Sequence, residues 1–271
     1  MTVDIHRRLS VSSLCTYRWT FAEELALWRE LGVRRVAPFL PKLDAYGHDR
    51  AVRTLQDEGM IASSVVAMSC DLRRPDTWAE TQTDLERAVD TAVALGAPCI
   101  YIATGRTTGQ RWGEVLDVFA TAVAPTVTYA TARGVKVALE ASPRAETSFV
   151  SSVRDALDVC DRTGLRIVAD CGACWLDRDV DDVLVLAGER IAIVQLCDAA
   201  VGTFDEPKPG RMVPGDGEID LDRFVNTIAS TGYTGDYELE MVGPAIEAEG
   251  YESALRRGIE RVNELLTRHV G

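Results

Sequence analysis

The chain has 271 residues, 46% hydrophobic and 26% charged, with 42 acidic against 29 basic side chains and a formal net charge of −13. That length suits a single domain spanning residues 1–271, and so acidic a surface disfavours nucleic acid and anionic membranes as partners. No apolar run is long enough to span a bilayer, and the opening MTVDIHRRLS lacks an apolar signal core, which points to a cytoplasmic protein.

Short β-like runs alternate with amphipathic helical patterns along the whole sequence. The first run covers residues 9–14, with a helix near 20–31, and the second covers 34–37, with a helix near 49–58. A third run at 61–68 leads to a long helix at about 78–95, and a fourth at 99–103 leads to a helix at about 112–133. Runs five to eight are residues 136–139, 165–169, 191–194 and 237–239, with helices near 149–163, 179–187, 221–230 and 251–268. Glycines 32, 59, 96, 134, 164 and 232 each follow a helical pattern, as left-handed C-caps do. Eight such alternations predict a closed α/β architecture, a (β/α)8 TIM barrel. The alternative, a doubly wound open sheet, usually carries glycines in its first βα turn, which here reads CTYRWT. One long irregular loop is expected, residues 199–220.

In a parallel barrel, chemistry gathers where strands end. Glu140 closes VKVALE, Asp170 closes LRIVAD, Gln195 lies in IAIVQLCD and Glu240 ends the run within DYELEM. Four successive strands would aim these side chains at one spot, and three clustered carboxylates are unfavourable without a cation between them. The set predicts a divalent metal site with Glu140, Asp170, Gln195 and Glu240 as ligands. Its donors are all oxygen, which suits Mn²⁺ first, with Mg²⁺ or Co²⁺ also allowed, and suits zinc less well. Glu238 shares a strand face with Glu240 but lies deeper, so Glu240 is the expected ligand.

Around this set, Asp198 is either an acid supporting the ligands from behind or the cap of a loop helix. Arg211 precedes the turn Pro214-Gly215-Asp216-Gly217 and is positioned to clamp a substrate hydroxyl or carboxylate rather than to be a solvated loop charge. Trp19, Trp112 and Trp175 follow runs and are candidates for the wall of a sugar-sized pocket, although rim packing is the commoner fate of a tryptophan. The seven cysteines, at 15, 70, 99, 160, 171, 174 and 197, are odd in number and lie mostly in apolar stretches, as buried reduced thiols do. Cys171-Gly-Ala-Cys174 alone is a weak redox or zinc signal. Histidines occur only at 6, 48 and 269, none after a ligand run, which leaves histidine-based catalysis unsupported.

These features resemble the xylose isomerase-like barrel superfamily, which includes sugar and cyclitol isomerases, ketose 3-epimerases and dehydroshikimate dehydratase-like enzymes. The resemblance covers nearly the whole length. It implies a metal held by Glu140, Asp170, Gln195 and Glu240, with glutamine where most relatives carry histidine, as some dehydratase-type members do. The stretch Glu140-Ala-Ser-Pro-Arg144-Ala-Glu146 is similar to a Glu-x-x-x-Arg-x-Glu pattern of the ketose epimerases. It implies that Glu146 contacts substrate. PGDGEIDL, residues 214–221, looks like the turn before the seventh helix. Where relatives commonly place a substrate-binding histidine, three residues past the sixth-strand Asp, this chain has Ala173.

The expected function is a metal-dependent isomerase or epimerase of a keto sugar or cyclitol. Protons would pass between Glu140 and Glu240 through an enediolate. The alternatives are a lyase or dehydratase that eliminates a β-leaving group from a dehydroshikimate-like or 3-keto-glycoside substrate, and a barrel that binds a metabolite without catalysis. The expected substrate-binding side chains are Glu146, Arg211, Trp112 and Trp175. The partner is a small carbohydrate or cyclitol, and a homo-oligomer is allowed.

Overall fold

A computed structural model describes residues 5–68, 71–107, 109–202 and 210–271. Cys70 and part of the expected 199–220 loop, residues 203–209, lie outside the described residues. Strands β1 (Leu9–Ser12), β2 (Arg35–Ala37), β3 (Ile61–Ala62), β4 (Val65–Val66), β5 (Cys99–Ala103), β6 (Lys136–Glu140), β7 (Arg166–Asp170), β8 (Ile191–Leu196) and β9 (Tyr237–Leu239) form one parallel sheet. Their spatial order is β3-β2-β1-β9-β8-β7-β6-β5-β4.

The two ends of that order, β3 and β4, are halves of the single third strand that the sequence leads one to expect at 61–68. The ladder breaks at Ser63 and Ser64. Their hydroxyls both reach Glu238 Oε1, at 2.9 and 2.5 Å. Consecutive residues of a regular strand point to opposite faces, so two neighbours can serve one inward carboxylate only where the pleat is interrupted. Ser63 N still donates to Val36 O and Val66 N to Pro38 O, both 2.9 Å, so the break is bridged and the sheet rolls into a barrel.

Helices ring the sheet: α1 (Phe21–Leu31), α2 (Leu40–Tyr46), α3 (His48–Asp57), α4 (Trp78–Leu95), α5 (Trp112–Thr131), α6 (Val153–Thr163), α7 (Cys171–Cys174), α8 (Val180–Ala187), α9 (Leu221–Ser230), α10 (Pro244–Glu249) and α11 (Tyr251–His269). The ends follow local chemistry. Thr20 and Glu23 close a reciprocal capping box on α1, and all six glycines expected at helix ends have φ between 64 and 79°. Three short helices were not anticipated. α2 and α10 carry Pro in their first turn, and α7 is a single turn capped by Asp170. Segments so short carry too few periodic positions to declare themselves.

Inward positions alternate along each strand. A small inner cluster includes Ala37, Val66, Cys99, Tyr101, Ala138, Val168 and Ile193, while a larger cluster lies between sheet and helices around Trp28, Phe119, Leu139 and Ile167. The same alternation that turns Val168 and Ile193 inward turns Asp170 and Gln195 inward one step nearer the mouth.

Candidate metal centre

Glu140 and Asp170 are the last residues of β6 and β7, Gln195 is next to last in β8, and Glu240 follows β9 directly. Register aligns Asp170 with Gln195 and Gln195 with Glu238. One oxygen from each of Glu140, Asp170 and Glu240 falls within 4.8 Å of the others. Asp170 and Glu240 are buried and Glu140 faces partly outward, its side chain 16% exposed.

Arg211 enters this cluster. Its Nη2 contacts Asp170 Oδ2 and lies 3.2 Å from Glu140 Oε1, while Nη1 donates to Glu240 Oε1 at 2.7 Å. The opposite oxygen of Glu240, Oε2, accepts from Tyr101 Oη at 2.5 Å, Gln195 Nε2 at 2.8 Å and Ser12 Oγ at 3.2 Å. Asp170 Oδ1 accepts from Gly172 N at 2.9 Å. Gln195 also reaches Glu238 Oε2 at 3.3 Å, which uses both of its amide hydrogens, and leaves its Oε1 buried without a hydrogen-bond partner.

Burial dominates the electrostatics. It pushes the Glu140 carboxyl well above the usual range, and the Asp170 charge pushes it further, against the pull of Arg211. Glu240 is raised by burial too, opposed by Arg211 and the hydroxyls of Tyr101 and Ser12. Glu238, one layer deeper, is pushed up to about 8 by burial. Burial also weighs against the charge on Arg211, but Asp170, Glu240 and Glu140 together hold it firmly cationic.

The loop after β8 fixes where Arg211 enters. The Asp198 carboxylate accepts from Ala199 N, Gly215 N and Ile219 N at 2.9, 2.7 and 3.1 Å, and its backbone pairs with Met212. Asp198 therefore anchors this loop. Arg211 N donates to Val242 O just past β9 at 3.3 Å, so the chain bearing the guanidinium is tied to the barrel rim.

Above the carboxylates opens a cleft of about 760 Å³ including its open solvent. Leu14, Glu140, Ser142, Arg144, Ala173, Arg211 and Glu240 are among its walls. The other expected wall residues lie elsewhere. Glu146 pairs with Arg144 at 2.6 Å and is exposed. Trp112 packs edge-on against Phe149, Trp19 packs likewise against Tyr251, and Trp175 is outside the cleft lining. Tyr101, Ser12, Ser63 and Ser64 are contributors that sequence reading passed over. The inward alternation of CIYIA and LSVS carries the signal for the first two.

A second group, Asp170, Cys171 and Cys197, also brings donor atoms within 4.8 Å of one another. A hydrogen bond with Cys171 and burial push the Cys197 thiol well up, and burial does the same for Cys174. These thiols are buried beneath the site. The described cysteines are all free and buried.

Residues 25–264 match the family model described as xylose isomerase-like TIM barrel. The chain belongs to the xylose isomerase-like TIM barrel family. Among solved structures, this barrel is similar to a Sinorhizobium meliloti protein at 24% identity and a TM-score of 0.83, over 96% of this chain and 98% of that one. It is similar to the IolI protein solved with a zinc atom, at 19% identity and a TM-score of 0.82, over 97% and 99%. It is also similar to D-psicose 3-epimerase with D-tagatose from Clostridium cellulolyticum H10, at 14% identity and a TM-score of 0.72, over 96% and 97%. At such identities the likeness to these structures establishes the shared fold. No curated protein sequence matches the chain. Among the described residues, no helix is long and apolar enough to cross a membrane.

The donor set of this xylose isomerase-like barrel fits a hard divalent cation. Three carboxyl groups share one guanidinium, and Gln195 Oε1 is a buried oxygen without a hydrogen-bond partner among the described residues.

Proposed function

We propose that this barrel is a divalent-metal-dependent isomerase or epimerase of a keto sugar or cyclitol, with Glu140, Asp170, Gln195 and Glu240 holding the metal, Mn²⁺ before Mg²⁺ or Co²⁺. The observation that carries the reading is the convergence of three carboxylates within 4.8 Å, two of which, Glu140 and Glu240, line an open cleft. A neighbour solved with zinc and another solved with D-tagatose support the same class. Bound by these residues, a divalent cation would supply polarisation of a substrate carbonyl and stabilisation of the charge on its oxygen.

The chain's own residues divide the proton work. Like charges this close favour one ionised and one protonated carboxyl. Glu140, the partly exposed carboxyl of the set, is the group that returns the proton. Glu240 Oε2 accepts hydrogen bonds from Tyr101, Gln195 and Ser12, an arrangement suited to a fixed carboxylate base. Both line the cleft, so one removes a proton from the carbon next to the carbonyl and the other returns it. Leu14 and Ala103 supply apolar walls that limit water around the carbanion.

One observation favours a second reading. Ala173 lines the cleft three residues past Asp170, so no side chain longer than a methyl holds the substrate there. A lyase acting on a dehydroshikimate-like or 3-keto-glycoside substrate shares the first proton removal and then expels a β-leaving group. Incubating Mn²⁺-loaded protein with keto sugars, cyclitol ketones and 3-keto-glycosides in D₂O separates the outcomes. Deuterium on carbon without loss of water or aglycone supports the isomerase. Release of water or aglycone selects the lyase. No exchange with any of them, together with no Mn²⁺ binding, leaves a metabolite-binding barrel. Glu240→Gln should lower exchange by about 10²–10⁴-fold.

A further inference from the structure

The guanidinium of Arg211 touches the same three carboxylates that converge for the metal. Nη2 meets Asp170 Oδ2 and lies 3.2 Å from Glu140 Oε1, and Nη1 lies 2.7 Å from Glu240 Oε1. Each contact engages an oxygen lone pair that a metal would need, because a carboxylate oxygen aimed at a guanidinium N–H is not aimed at a cation between the carboxylates. A divalent ion among these oxygens would also lie within a few ångströms of a full positive charge in a poorly screened site. Arg211 is itself buried, so its charge is not dispersed by water. Its backbone is held at Val242 O, whereas its long side chain borders the open cleft and has space there.

We propose that Arg211 is an internal counter-cation that holds the metal-free site together and competes with the metal for Glu140, Asp170 and Glu240. Metal entry displaces the guanidinium toward the cleft, so metal binds before substrate and turns a structural cation into one that faces the ligand. This rests on the metal reading of the same site.

The test is Mn²⁺ affinity, measured by calorimetry and by the EPR signal of free Mn²⁺, in wild type, Arg211→Gln, Arg211→Gly and Arg144→Gln. The expected result is at least tenfold tighter Mn²⁺ binding in both Arg211 variants. Arg144 borders the same cleft but pairs with Glu146 at 2.6 Å. Its loss reports the through-space effect of removing one positive charge and should change affinity less than threefold. Free guanidinium ion, at a concentration below that which unfolds the protein, should weaken Mn²⁺ binding in Arg211→Gly toward the wild-type value and leave wild type unchanged. If the metal-free variants do not fold, refolding with excess Mn²⁺ followed by competition with a calibrated chelator gives the same affinity. Equal or weaker Mn²⁺ binding in the Arg211 variants, or an equal gain in Arg144→Gln, overturns the competition while wild-type Mn²⁺ binding leaves the metal reading standing. Absence of Mn²⁺ binding in every form removes both.

Discussion

Glu238 shows how one residue links the site to stability. It lies beneath Glu240 in the barrel, serving Ser63, Ser64 and Gln195, and burial pushes its carboxyl from the usual 4.5 up to about 8. The folded form therefore keeps a proton that the unfolded chain releases near 4.5. Its contribution to stability is complete below that pH and is lost as pH rises from about 4.5 toward 8. In chelator-treated protein, Glu238→Gln should make the decline in unfolding free energy over that window shallower, by up to about 1.4 kcal/mol per pH unit. Urea titrations at several pH values measure this, and an unchanged slope would show that Glu238 does not hold the proton. Glu140, Asp170, Gln195 and Glu240 were legible because each ends or lies in an apolar run, and Arg211 because it precedes a glycine turn; the structure brings these five together. Glu146, Trp112 and Trp175 were not separable from rim residues, since loop conformation rather than strand periodicity decides where such side chains point.

At the element scale, the short turn after β7 is tightly packed. Gly172 is the second residue of α7, and a Cβ there would lie 2.5 Å from Cys197 Sγ and 3.5 Å from both Arg211 Nε and Asp170 Oδ1. Gly172→Ala should destabilise the fold by about 1–3 kcal/mol through overpacking. Adding Cys197→Ala should recover most of that loss, because the sulfur is the nearest obstacle. Thermal unfolding of the two variants decides the point, and a double mutant no more stable than Gly172→Ala would argue against the clash. Element ends were legible wherever a cap residue marked them, as with Thr20 before α1. The break between β3 and β4 was not. It depends on Glu238 drawing two neighbouring serines to one face, a contact about 175 residues away in sequence that no local pattern reports.

For the whole molecule, metal binding and folding should be linked. The unfolded chain cannot assemble Glu140, Asp170 and Glu240, so a ligand that binds the folded barrel stabilises it by about 2.7 kcal/mol at a hundredfold excess over its Kd. For a chain of this length that corresponds to a rise in Tm of roughly 5–10 °C. Mn²⁺ should produce the rise and a chelator should reverse it; a Tm indifferent to both would be incompatible with the proposed centre. The barrel itself was legible because eight strand and helix alternations repeat, and repetition survives local errors of a few residues in any one element.

The three residues of β9 carry a consequence for heredity. Tyr237 is aligned with Leu9 on one side and Val194 on the other, and this alignment alone decides that Glu238 and Glu240 look inward. Adding or deleting one codon between Tyr237 and Glu240 would swap inside for outside at the mouth, burying Leu239 among the oxygens and exiling two acids into the greasy helical jacket. Drift in this gene should therefore tolerate substitutions along β9 far better than single-codon indels, a bias that deep mutational scanning can count.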